Sequence, residues 1–371
     1  ATEGIGGVSN RQVDVWQQEY TVTYDKDINS DSHVDVLAGF TRQNSKTTYS
    51  SISSNHFTKE IQKQYNLGDG ANVYTPETSI SESDLNSFIA RANYTLLGRY
   101  NATATFRADN SSRFAKNHRW GYFPSLGLSW NAERESFLSA VRGLDFLKVR
   151  LTGGLVGNQE ITDYAFSSSY STGSYAGSSS YSKSSAANDD LKWETTASYD
   201  LGVDLGLWGG KLDIVLDGYY KRTSDLLLDV PAGFSLGVPS QLRNVGNVVN
   251  KGVELAVDYN IIKRRKVSWS VSANLAHNSN EITDMGTSSD IIQGSDNQQI
   301  LRAGESLGSF YGLVFDGIVQ SDEDVSLLPK VNGQTPKAGD IKYVDTNNDN
   351  KIDGNDRQVL GSIQPDLTYG F

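Results

Sequence analysis

The chain has 371 residues and a formal net charge of −11, an acidity that argues against a phosphate backbone as partner, so no nucleic acid is expected. It has no cysteine, which excludes disulfides and thiolate metal sites. Tyr 19 and Gly 35 against Pro 7 suit long antiparallel strands joined by tight turns, and no run of about 18 apolar residues offers a transmembrane helix.

In chain order, period-two alternation predicts strands at 13–24 and 32–43 around a polar turn, followed by a long polar loop at 44–83. Strands follow at 84–97 and 99–110, separated by Gly98 alone. In the second, Tyr100, Ala102, Ala104 and Phe106 alternate with Asn101, Thr103, Thr105 and Arg107, which gives one apolar and one polar face. A basic loop at 111–119 leads to strand 120–131, and Phe137, Leu138 and Val141 fall at helical spacing within 132–144. Strand 145–157 sets Leu147, Val149 and Leu151 against Lys148, Arg150 and Thr152. A Ser/Tyr/Gly-rich loop occupies 158–192. Strand 193–207 places Trp193, Tyr199, Leu201, Val203 and Leu205 on one side and Glu194, Asp200 and Asp204 on the other. After the tight turn Trp208-Gly209-Gly210, strand 211–225 opposes Leu212, Ile214 and Leu216 to Asp213 and Asp217. A loop at 226–249, strands at 250–262 and 266–279, a very long connection at 280–365 and a strand start at 366–371 complete the chain.

These strands are longer than the usual 5–6 residues of soluble sheets and match the roughly 9–11 of a tilted membrane-crossing strand. Connections alternate short and long, with one exception at 111–119 against 132–144. An outer-membrane barrel has that asymmetry: short periplasmic turns, long outer loops. The expected fold is therefore all-β, a partial transmembrane antiparallel β-barrel of ten to eleven strands. A secreted or surface-anchored, calcium-stabilised β adhesin or glycan-binding protein is the alternative.

One motif carries metal chemistry. Asp345, Asn347, Asp349, Asp353 and Asp356 occupy positions 1, 3, 5, 9 and 12 of an EF-hand-type loop, and Lys351 at position 7 offers its carbonyl. Such an all-oxygen set suits Ca2+ in a structural role. Asn350 replaces the usual glycine at position 6, and Asp356 the usual glutamate at position 12. Three tyrosines, Tyr170, Tyr175 and Tyr181, offer stacking faces for a cargo in the loop 158–192. Gly233-Phe-Ser235-Leu-Gly237 spells a nucleophile elbow, yet Pro231 and Pro239 flank it and no strand-then-helix context is expected. Four histidines (His33, His56, His118, His277) show no metal spacing, and no enzymatic activity is expected.

The segment GRYNATATFRADNSSRFAKNHRWGYFPSLGLSW at 98–130 resembles the hallmark hairpin of SusC/RagA-like TonB-dependent outer-membrane transporters. Further similar segments follow in the family's order at 147–161, 191–228, 244–262, 302–320 and 339–371. The resemblance implies a barrel of about 22 strands with an N-terminal plug. It also implies import of large nutrients, glycans or peptides, driven by the TonB complex, with a SusD-like surface lipoprotein as lid. On that comparison this chain is expected to be a piece of the barrel in the outer membrane of a Gram-negative bacterium, in contact with outer-membrane lipid and without the plug.

Overall fold

The computed structural model describes residues 4–57, 66–176, 178–287, 290–294 and 298–371. Eleven strands form one antiparallel meander: β1 (Ile5–Asn29), β2 (Ser32–Phe57), β3 (Glu77–Leu96), β4 (Tyr100–Ser111), β5 (Trp120–Asn131), β6 (Leu144–Asn158), β7 (Glu194–Leu207), β8 (Leu212–Ser224), β9 (Asn247–Arg264), β10 (Val267–Asp284) and β11 (Thr368–Gly370). Every strand pairs with its sequence neighbour, and the short strand Gly70–Val73 adds to the far end of β2. The sheet is open, as a partial barrel wall must be. No α-helix occurs among the described residues.

Register turns alternation along each strand into bands across the sheet. One row runs Val34, Tyr94, Ala102, Leu128, Leu151, Leu201, Gly218, Val253. Its neighbour runs Leu96, Tyr100, Trp130, Val149, Val203, Leu216, Leu255, Leu275, Tyr369. A one-residue slip would expose polar groups on this face, so the apolar pattern itself fixes the register. The opposite face carries the row Asn101, Ser129, Arg150, Gly202, Asp217, Glu254. Large side chains such as Leu201, Leu128 and Leu151 are about half exposed on the apolar face. In water such a band would be costly; in a bilayer it is the solvated surface.

Four expectations need correction. The stretch 44–83 is mostly strand: β2 runs on to Phe57 and β3 begins at Glu77. Beyond the membrane a strand needs no apolar face, so Ser, Thr and Tyr extend the ladder without a hydrophobic signature. The 132–144 segment is a 3-10 turn at Ala132–Arg134 followed by turns, with one helix-type bond, from Ser139 N–H to Glu135 O. It is too short to offset the cost of nucleating a helix, and its Glu135 side chain is engaged elsewhere. Trp193 does not face lipid. Strand pairing starts at Glu194, and Trp193 turns into a buried cluster with Phe114, Phe123 and Leu191. The outer loops also contain their own pairings: Ser169–Tyr175 with Ser178–Ser185, and Leu227–Pro231 with Ser240–Asn244.

The connection after β10 spans 285–367 and folds on a small four-stranded sheet, Ile291–Gln293, Gln299–Leu301, Ser309–Leu313 and Arg357–Ser362. It is anchored to the barrel wall by a core of Val248, Ile282, Met285, Ile291 and Leu301. Each such fully buried apolar side chain is worth about 1.5–3 kcal/mol, so the base of this long connection is fixed.

Candidate functional site

The polar face of the sheet is the first place where side chains converge. Arg150 on β6 donates through Nε and Nη2 to both carboxylate oxygens of Asp204 on β7, at 2.9 and 2.8 Å. Its Nη2 also reaches Asp217 on β8 at 2.8 Å, and Nη1 lies 4.0 Å from Asp200. A bidentate fork of this kind fixes orientation as well as charge. Gly202 lies between Arg150 and Asp217 in the same row, and a Cβ there would stand 2.3 Å from Asp217 Oδ1 and 2.5 Å from Arg150 Nη2. Further along, Asp213 stands opposite Asp258, and Asp217 opposite Glu254. Like charges directly opposed across strands are unfavourable, and the guanidinium offsets this for Asp217. On the other side, Thr103 donates to Asn93, which donates to Asp35, while Arg107 pairs with Asp109 and Ser87. The result is a hydrophilic wall behind an apolar one.

Where wall and loops meet, Phe114, Phe123 and Trp193 form an aromatic cluster with ring centroids 5.3 Å apart for each pair involving Trp193. Trp193 Nε1 donates to the Arg119 carbonyl, which satisfies its one donor. Gly157 and Gly121 make room for the Phe123 ring; a Cβ on Gly157 would lie 2.1 Å from it. Pairing between β5 and β6 stops at Ser125 and Gly154, just where Pro124 lacks a donor. Phe123 therefore fills the place where the ladder opens. Arg113 bridges Asp163 and Glu160, tying the 112–119 loop to the next one.

The three candidate tyrosines all lie in the hairpin Ser169–Tyr175/Ser178–Ser185 and are well exposed. Register sets Tyr181 opposite Thr172, so Tyr170 and Tyr181 share one face. Tyr175 at the tip falls on the other face. The structure thus brings two of the three together. Lys183 in this hairpin donates to the Leu236 carbonyl, and Asn188 and Gln241 link the same two loops.

In the 345–356 loop, Asp345 accepts from the backbone N–H groups of Asp349 and Asn350, at 3.2 and 2.7 Å. Asn347 also accepts from Asp349, and Asp349 from Lys351. Asn350 has φ 59°, the left-handed conformation for which position 6 normally uses glycine. Asp356 is fully buried and accepts from the N–H of Thr346 and of Asp353. Those backbone donors, Asp353 first, hold its carboxyl below the usual carboxylate range against the opposing effect of burial. Among the described residues, no three His, Cys, Asp or Glu side chains already form a metal-ready group. The loop is preshaped by backbone donors, and each carboxylate oxygen that accepts one N–H retains a lone pair.

Ser235 of the elbow-like sequence sits in a single 3-10 turn, Phe234–Leu236, where the elbow chemistry requires a strand-to-helix corner. His33 binds Asp27 and Asp25, His277 faces the Asp366 carbonyl, and His118 lies 3.8 Å from Asp190.

An antiparallel meander with one lipid-facing and one hydrophilic face, short turns at one end and folded loops at the other, is the wall of an outer-membrane β-barrel. The chain belongs to the family of TonB dependent receptor-like β-barrels, whose profile matches residues 2–358. It is 30% identical over 385 residues to TonB-dependent receptor P3 of Formosa agariphila, an alignment covering 100% of this chain and 38% of that protein. It is 30% identical over 311 residues to TonB-dependent receptor SusC of Bacteroides thetaiotaomicron, covering 78% of this chain and 30% of SusC. The structure of the RagAB peptide transporter superposes with a TM-score of 0.81 at 24% identity, over 99% of this chain and 40% of that one. The chain thus spans less than half the length of the relatives it matches. Family membership places it in the outer membrane and removes the need for the secreted-adhesin alternative.

Proposed function

We propose that this chain is the barrel wall of a SusC-like TonB-dependent transporter that imports large nutrients, glycans or peptides, across the outer membrane. The TonB complex would supply energy, and a SusD-like surface lipoprotein would cover the extracellular mouth. The observation that carries this reading is the two-faced wall. Its apolar rows suit lipid, and its inner row of Arg150, Asp217 and Glu254 suits a hydrated lumen. Tyr170, Tyr181 and Tyr175 would meet cargo above the mouth through their ring faces.

The 345–356 loop would hold one structural Ca2+ through Asp345, Asn347, Asp349, the Lys351 carbonyl, Asp353 and Asp356. The fit rests on the oxygen-only donors and the left-handed Asn350. Bound there, calcium would screen the acidic side chains from one another; the chain's own part is to present them on a loop already closed by backbone donors.

The test is uptake in a strain lacking the full-length gene. Failure to take up a defined glycan or peptide, restored by the intact gene, supports transport; unchanged uptake of both classes contradicts it.

A further inference from the structure

On the lipid face, β3 to β6 enclose a groove of about 380 Å³ lined by Tyr94, Leu96, Tyr100, Ala102, Leu128 and Trp130, with Val149 and Leu151 at its far side. Its origin is a small residue set between two large ones. Ala102 lies between Tyr94 and Leu128 in register, so the wall is indented there. The rings around the indentation have no polar atom left to turn outward. Tyr94 donates to Ser32, while Tyr100 and Trp130 both donate to Glu135, at 2.5 and 3.1 Å. Glu135 is in turn held by Arg99 at 2.6 Å. The lining is therefore apolar, and the groove opens beside the β3–β4 turn at the periplasmic end of the wall.

The mouth is charged. Arg134 donates to the Gly98 carbonyl in that turn, its side chain is 58% exposed, and its Nε lies 3.6 Å from Glu133. Arg99 and Glu135 are paired with each other, and so are Arg134 and Glu133; of the second pair the guanidinium is the exposed member, while Glu133 is 20% exposed and also accepts from the Leu147 N–H. A zwitterionic headgroup bearing a phosphate and a primary ammonium complements that pair. Its phosphate would take the exposed Nη2 of Arg134, whose Nη1 stays on the Gly98 carbonyl, and its ammonium would join the outer oxygen of Glu133, while an acyl chain enters the groove.

We propose that this groove is a binding site for one aminophospholipid of the periplasmic leaflet. The bound chain would complete the wall over Ala102, and the headgroup would staple the β3–β4 turn to the segment after β5.

The test uses full-length protein extracted in mild detergent, with phosphatidylethanolamine or phosphatidylglycerol added and retention read by native mass spectrometry. Wild type should keep one phosphatidylethanolamine in preference to phosphatidylglycerol. Ala102→Phe fills the indentation and should lower retention at least about tenfold, because the acyl chain loses its seat. Arg134→Gln leaves the apolar wall intact and should lower it up to about fivefold, the upper end for one partly exposed ion pair. It serves as the decisive variant if Ala102→Phe fails to assemble. Ala273→Phe, on the same face but outside the groove, should retain lipid as wild type does. Equal retention of both lipids, or retention unchanged in Arg134→Gln, overturns the proposal.

Discussion

Arg150 and Asp217 stand two strands apart and meet across Gly202, with Nη2 2.8 Å from Asp217 Oδ1. The contact exists only because the intervening residue has no side chain. Gly202→Val should displace the guanidinium and leave two facing carboxylates. Loss of these partly exposed hydrogen bonds should cost about 1–3 kcal/mol. The readout is the temperature at which the barrel loses its heat-modifiable gel mobility; an unchanged midpoint would show that the bridge contributes nothing.

Ile214 and Asp213 are neighbours with opposite surroundings. Ile214 aligns with Leu205 and Val257 on the apolar face, whereas Asp213 stands opposite Asp258. Ile214→Arg should impair assembly, since a cation on the lipid face costs about 2–4 kcal/mol at the midplane and less toward the turn end where β8 begins. Asp213→Arg should assemble normally, because it replaces a like-charge pair with an opposite one. Equal yields of assembled barrel from both variants would reverse the face assignment.

Topology predicts accessibility. A cysteine at Ser179, in the hairpin of the 159–193 loop, should react with an impermeant thiol reagent on intact cells. One at Lys211, in the short turn between β7 and β8, should react only after the outer membrane is opened. The reverse pattern would mean that the loops face the periplasm.

Acid should loosen the outer connection. Because the carboxyl of Asp356 titrates below its ordinary value in the folded chain, it stabilises the loop above the ordinary range. That contribution is lost as pH falls through the lowered value, below about pH 4. Asp356→Asn should loosen the loop at neutral pH in the same way, seen as faster protease cleavage within 345–356. Equal cleavage of wild type at neutral and acidic pH, with an acid-tolerant protease, would show that the buried carboxylate does not hold the loop.

Calcium can be tested separately. Asp349→Ala should abolish ion binding at the loop while the barrel still assembles, and chelation should sensitise only the wild-type loop to protease. Elemental analysis showing no calcium in protein purified with calcium present would contradict the assignment.

The membrane-level part of β1 to β10 was legible because each strand there must show lipid an apolar residue at every second position. Where water lies on both sides, that requirement vanishes, and the outer halves of β2 and β3 left only Ser, Thr and Tyr as a weak trace. Trp193 obeys the alternation yet leaves the sheet one residue before pairing begins, a distinction set by Phe114 and Phe123 from distant sequence. The Arg150 bridge was hidden for a related reason. Alternation puts Arg150, Asp204 and Asp217 on polar faces, but only cross-strand register brings them together. The spacing of the 345–356 motif is local and was readable, with Asn350 at the position that usually takes glycine; the burial of Asp356 was not.

The wall stands in a bilayer with Leu128, Leu201 and Leu255 facing lipid. Fractionation of cells expressing the full-length protein tests it most directly. Recovery in the outer-membrane fraction, release only by detergent and heat-modifiable mobility are expected. Recovery of folded protein in the soluble fraction without detergent would contradict it.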